Sequence, residues 1–121
     1  ELVILRTGYN CRSGYEFTQH HRIGLDCGLS EAEIEAIKTG PDAAIWGAHD
    51  RALLRATDDL TSDFFVSESS WAALDFLTEK QKMDLVMTAG QYTQVSMMLN
   101  SFGVQLDDGQ VLDPQLDGRP A

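Results

Sequence analysis

The chain alternates short apolar clusters with polar positions at helical spacing, and six stretches stand out. The first, ELVILRTGYN, carries four consecutive apolar residues. Periodicity alone does not assign so short a run to helix or strand. The helical character of everything after it places residues 1–10 in a helix. Residues 13–27 read as a second helix, opened by the S-x-x-E pattern of Ser13 and Glu16 and closed by Gly28, where a left-handed glycine belongs. Ser30 and Glu33 repeat the pattern before a helix with Leu29, Ile34 and Ile37 on its apolar face, which Gly40-Pro41 terminates. A helix from about Ala48 to Leu60 follows, with Leu53, Leu54 and Leu60 roughly on one side, then a loop over 61–67. Ser67 starts a short helix carrying Trp71, Leu74 and Leu77. Thr78 and Gln81 open a long helix through Met83, Val86, Met87, Gly90, Val95, Met98, Leu99 and Phe102, ending near Gly103. Strand-plus-turn signals and internal repeats are missing, so the expected class is all-α. Residues 107–121 are rich in Asp, Gly and Pro without a periodic pattern, and an extended tail is expected there after a domain spanning 1–106.

Composition narrows the partners. The 121 residues, 43% apolar and 23% charged, suit one globular domain. Nine basic against nineteen acidic residues give a net charge of −10, which argues against nucleic acid or an anionic membrane as partner. No apolar run approaches the ~20 residues a bilayer span requires. Cys11 and Cys27 make neither a disulfide framework nor a zinc-type spacing, and at opposite ends of one helix they are too far apart to bridge. A reducing, cytoplasmic compartment is expected. The charge is uneven: residues 1–25 carry Arg6, Arg12 and Arg22 against Glu1 and Glu16, a net +1, and the rest carries −11. A small anionic molecule is tolerated at the first region and repelled elsewhere.

The chemistry-bearing residues fall on the second helix. At 3.6 residues per turn, Ser13, Glu16, His20, Ile23 and Cys27 share one stripe, with Phe17 beside it. The apolar members Phe17 and Ile23 turn this side toward the core. Glu16 and His20, at i and i+4, then touch on a partly buried face. A carboxylate beside an imidazole in a low-dielectric site shifts both groups and suits acid–base work near neutral pH. The bland readings are that Ser13 and Glu16 only cap the helix, that Glu16 and His20 are a solvated pair, that His21 is a surface residue, and that the methionines of the last helix are core or interface.

Residues 1–37, ELVILRTGYNCRSGYEFTQHHRIGLDCGLSEAEIEAI, together with DRALLRATDDL and GQYTQVSMMLNSFGVQLD further on, resemble the carboxymuconolactone decarboxylase family of the alkylhydroperoxidase D-like superfamily. The superfamily pattern is a Glu, a first site residue twelve positions on, a second three further, and a His four further. Glu1, Ser13, Glu16 and His20 occupy those positions. In the peroxidase branch the two middle positions are a Cys-x-x-Cys pair, absent here. In the decarboxylase branch the second is Glu, which Glu16 matches, whereas Ser13 stands where Cys is common.

The resemblance implies an all-α domain of antiparallel helix pairs over residues 1–106, assembled as a homotrimer or hexamer with sites near subunit contacts. It also implies further helices before the Glu1 position, in keeping with a chain that begins without Met and runs straight into an apolar segment. The implied activity is loss of CO2 from a small carboxylated lactone, or a related acid, in aromatic catabolism. No metal or organic cofactor is expected. His20 is the candidate proton donor, held by Glu16, with Glu1 as relay or orienting group. Ser13, Arg12, Arg6 and Arg22 are candidate substrate-binding residues. Two other classes stay open: a thiol peroxidase using Cys11, which sits near the positive end of the helix, and a non-catalytic oligomeric binding protein. The long last helix is apolar on more than one side, more than one core contact absorbs, so a homo-oligomer is expected.

Overall fold

Short polar side chains start most of the helices. The computed structural model describes residues 1–116, which form α1 (Leu2–Asn10), α2 (Gly14–Asp26), α3 (Glu31–Thr39), α4 (Ala48–Asp63), α5 (Glu68–Ala72) and α6 (Glu79–Phe102), with no strand among the described residues. Ser30 and Thr78 make full capping boxes. The Ser30 hydroxyl accepts from the Glu33 amide at 3.1 Å while the Glu33 carboxylate accepts from the Ser30 amide at 2.9 Å, and Thr78 and Gln81 repeat this at 3.1 and 2.9 Å. Ser67 caps α5. The end of α2 follows the expected signal: with Gly28 at φ +103°, its amide donates to Leu25 O and the Leu29 amide to Gly24 O, a Schellman closure that a side chain at position 28 would strain.

Two boundaries differ from the sequence reading. Residues 61–63, expected in a loop, continue α4, because the Thr61 and Ser62 hydroxyls bond back to the Thr57 and Asp58 carbonyls at 3.0 and 2.8 Å and so do not compete with the helix from outside. Phe64, at φ +66°, closes it. The short helix α5 stops at Ala72. Leu74 and Leu77 lie in the turns beyond, and Leu74 is nonetheless fully buried.

Helix α1 is the hub, packing on α2, α3, α4 and α6. One core gathers Leu5, Phe17, Ile34, Ile37, Trp46 and Leu54 between α1, α2, α3 and α4. A second joins Ala52, Ala56, Leu74 and Leu85. Leu5, Phe17, Ile37 and Leu54 are wholly inaccessible, worth about 1.5–3 kcal/mol each by transfer. Arg6 ties three helices together: Nε and Nη2 donate to both Asp58 oxygens at 2.6 and 3.1 Å, and Nη1 donates to the Ile37 and Lys38 carbonyls at the end of α3.

The segment expected as an extended tail is described as far as Leu116; residues 117–121 lie outside the described residues. Its described part folds back over α2 and α3. Leu116 enters the first core, Leu112 packs on Gly14, Gln110 and Gln19 exchange side-chain amide bonds, and Asp113 pairs with Lys38 at 2.5 Å. Helix α6 keeps an open apolar side: Met83, Met87, Met97 and Phe102 are 61–76% exposed, and Phe64, which shares a shallow cleft with α6, is 80% exposed.

Candidate functional site

The corner between α1 and α2 builds the site. The chain turns within Cys11–Ser13, with Arg12 in the left-handed region at φ +55°, and the Ser13 amide donates back to Gly8 O. The two helices therefore return on each other, and the start of α1 comes level with the middle of α2. Glu1 Oε2 lies 2.9 Å from His20 Nδ1, and Glu16 Oε1 lies 3.1 Å from His20 Nε2. One imidazole is thus gripped at both nitrogens by carboxylates. All three side chains are mostly buried, at 15%, 13% and 5% exposure for Glu1, His20 and Glu16.

Packing fixes the grip. Phe17, next to Glu16, is wholly buried, and Gly8 of α1 leaves room for the Glu16 stem, so that a Cβ there would lie 3.1 Å from Glu16 Cγ. From α6, Tyr92 sets its ring edge-to-face on His20, centroids 5.2 Å apart and planes at 82°. Burial by itself lowers the basicity of His20. The hydrogen bonds to Glu16 and Glu1, and the charges of both, outweigh it and raise its pKa above the usual histidine value. Burial, then the negative charges of Glu16 and Glu1, push the Tyr92 phenol up as well. The two carboxylates stabilise the protonated form of His20, and the cluster can store and hand on a proton. Glu16 Oε2 is buried without a hydrogen-bond partner, so that carboxylate has an acceptor to spare.

The other expected site residues divide. Ser13 is fully buried and spends its hydroxyl accepting from the Glu16 amide at 3.3 Å. The reciprocal half of that capping box is not made: the Glu16 carboxylate turns to His20 instead. Arg6, expected to meet a substrate carboxylate, has its fork filled by Asp58 and the α3 carbonyls. Arg12 and Arg22 are exposed. The stripe expected to face the core does so only over its first half, since Ile23 is 39% exposed and Cys27 is exposed near the helix end. Neither cysteine is in a disulfide among the described residues, and Cys11 Sγ lies 3.8 Å from Thr93 Oγ1. Tyr92 was not legible as a site residue, because 72 positions separate it from His20 and nothing local marks it.

Of the site residues, Glu1 lines a described cleft. It is about 310 Å³, between α1, α4 and α6, and Val3, Ile4, Leu53, Leu77 and Leu85 also line it. A larger cleft of about 540 Å³, lined by Trp71, Lys82, Met83, Val86 and Met87, lies along α5 and α6 and holds none of these groups. Among the described residues no group of three His, Cys, Asp or Glu side chains is placed to hold a metal ion, and no helix is long and apolar enough to cross a membrane.

No protein-family model matches the sequence, and no curated protein matches it. A solved structure does. The crystal structure of an Agrobacterium tumefaciens protein of unknown function, provisionally described as the antioxidant defence protein AhpD, superposes with a TM-score of 0.76 at 15% identity, over 88% of this chain and 77% of that one. The chain has the alkylhydroperoxidase D-like fold. Six helices without a strand among the described residues, and the hairpin of α1 and α2 carrying Glu1, Glu16 and His20, are how this alkylhydroperoxidase D-like domain is built.

Proposed function

We propose that Glu1, His20 and Glu16 form a proton-transfer site, and that the chain is a carboxymuconolactone decarboxylase-like enzyme acting without a cofactor on a small carboxylated lactone or a related acid. The observation carrying this reading is the buried imidazole held at both nitrogens by carboxylates. Loss of CO2 from such a lactone leaves an electron pair delocalised as a dienolate, which must be stabilised and then protonated on carbon. His20 is the stored acid, and Glu16 holds its ring and charge. Glu1, between His20 and the 310 Å³ cleft, takes the proton from His20 and passes it to the substrate carbon, which leaves His20 neutral and Glu1 again a carboxylate. Exposed Arg12 and Arg22 attract the anionic substrate toward this region; Arg6 serves the fold.

Cys11, at the entrance to α2 and beside Thr93, supports a second reading as a thiol peroxidase, in line with the antioxidant description of the A. tumefaciens protein. Serine and glutamate at positions 13 and 16 weigh against it, because the dithiol of that chemistry has no place there. The exposed side of α6 supports a homo-oligomer, a trimer or hexamer.

The deciding experiment assays carboxymuconolactone decarboxylation and hydroperoxide reduction side by side, on wild type, on His20→Ala and on alkylated protein. The expected result is CO2 release that falls by about 10²-fold or more in His20→Ala and survives alkylation. Hydroperoxide turnover abolished by alkylation overturns the decarboxylase in favour of the peroxidase. Turnover of neither substrate leaves a binding protein with this fold.

A further inference from the structure

Among the described residues, three buried side-chain oxygens have no hydrogen-bond partner: Glu16 Oε2, Ser96 Oγ and Thr18 Oγ1. The first two belong together. Helix α6 is held at two points, one on α2 and one on the turn before it, which sets α2 and α6 antiparallel. His20 meets Tyr92 ring to ring, and the Asn100 side chain donates to Cys11 O at 3.1 Å. Glu16 is one helical turn before His20, and Ser96 is one turn after Tyr92, so in an antiparallel pair they lie at the same level on the facing sides. Ser96 is completely buried and Glu16 nearly so. Thr18, two positions from Glu16 and so about 200° around α2, is off this seam.

An orphaned hydroxyl and an orphaned carboxylate oxygen are chemical complements: one has a proton to donate and the other only accepts. Leaving both unpaired in the interior is costly, and one small motion, rotation about the Ser96 χ1 or one bridging water, satisfies both. We propose that Ser96 is a positioning residue for Glu16, its hydroxyl donating to the oxygen that does not face His20. Glu16 is then fixed at both oxygens, to His20 by one and to α6 by the other, and α6 clamps both members of the pair through Tyr92 and Ser96. The proposal rests on Glu16 and His20 being the working pair of the site proposed above, but its test needs no turnover.

The bond draws negative charge away from the oxygen that holds His20. Its loss returns that charge to the imidazolium. The other titratable groups facing this cluster are Glu1 from the start of α1 and Tyr92 from α6. Lys38 of α3 reaches the Phe17 ring, but Glu35 and Asp113 hold its ammonium. The experiment is an NMR titration of the His20 ring in wild type, Ser96→Ala, Glu16→Gln and the double variant, with urea unfolding of all four. Removing one buried hydroxyl leaves the fold intact. Ser96→Ala is expected to raise the His20 midpoint by about half a pH unit in the Glu16 background and to leave it unmoved in the Glu16→Gln background. It is expected to lower stability only where Glu16 is present. A flat His20 titration overturns the proposal, whether Ser96→Ala stabilises both backgrounds, as removal of a true orphan does, or destabilises both equally, as a packing role does. A flat titration in a protein that still decarboxylates removes Ser96 alone; the expected shift in a protein without turnover removes the decarboxylase and leaves the clamp.

Discussion

Gly8→Ala tests whether the site depends on clearance between α1 and α2. Gly8 is buried in the last part of α1, and a methyl there meets Glu16 Cγ at 3.1 Å, Glu16 Cβ at 3.4 Å and the Phe17 amide nitrogen at 3.6 Å. Carbon atoms rest at about 3.5–4.0 Å, so the Glu16 stem must retreat by about 0.4 Å or more. It cannot swing freely, because its carboxylate is bonded to His20 at 3.1 Å and His20 is in turn bonded to Glu1 and packed on Tyr92. Two effects compete. Alanine in place of glycine inside a helix gains about 0.8–1 kcal/mol. Overpacking a closed interior costs about 1–3 kcal/mol. The net expectation is destabilisation by about 1 kcal/mol, or a fall of about 4 °C in the unfolding midpoint for a chain of this size. The sharper sign is at the site. Moving Glu16 weakens its bond to His20, and that bond is the strongest of the effects holding the imidazole pKa up against burial, so the His20 midpoint falls. Urea unfolding and NMR titration of the His20 ring measure the two together. A variant about 1 kcal/mol more stable than wild type, with an unchanged His20 midpoint, would refute the argument, since it would mean the methyl fits and the seat is loose.

The raised pKa of His20 also makes stability depend on pH. A group more basic in the folded state stabilises fully below its unfolded value of about 6.5 and loses that contribution as pH rises through the folded value. The stability gap between wild type and His20→Gln is therefore expected to narrow as pH rises above about 6.5, and a gap that widens there contradicts the direction of the shift. Leu116→Ala removes the apolar anchor of the returning segment. It is expected to cost about 2–3 kcal/mol and to open residues 104–116 to limited proteolysis while helicity is kept; unchanged protease resistance would show that Lys38, Asp113 and the glutamine pair suffice. Arg6→Lys keeps the charge but loses the fork. A point charge cannot serve Asp58 and two α3 carbonyls at once, so a loss of about 1–3 kcal/mol in thermal or urea unfolding is expected, and wild-type stability in that variant would make the fork incidental.

The helical layout was legible in the sequence because its signals are local. Ser30 with Glu33, Thr78 with Gln81, Gly28 and Gly103 act within a few residues, through bonds to their own backbone, and a linear pattern records them directly. The Glu16–His20 contact was legible for the same reason, since a spacing of four on a helix fixes neighbours whatever else the chain does. Glu1 was reached through the resemblance, not through periodicity. Where local signals misled, a bond one helical turn away had won over the expected one: the Thr61 and Ser62 hydroxyls bond back to carbonyls within α4, and the Glu16 carboxylate leaves its capping box for His20.

Tertiary structure alone decided the rest. Arg6 looked like a ligand for a substrate anion because its charge was visible and Asp58, 52 positions away, was not visibly its partner. Ile23 matched the period of a buried stripe, yet period says which residues share a face, not which of them a neighbour covers. Leu116 had no pattern around it, but one leucine in the right place closes a core. Gly8, Tyr92 and Ser96 lie on other helices than the pair they surround, and their roles come from the register of α1 and α6 against α2. Local bonding energy is written into short spacings. The environment that tunes His20, made of clearance, ring contacts and burial, exists only once distant segments have packed together.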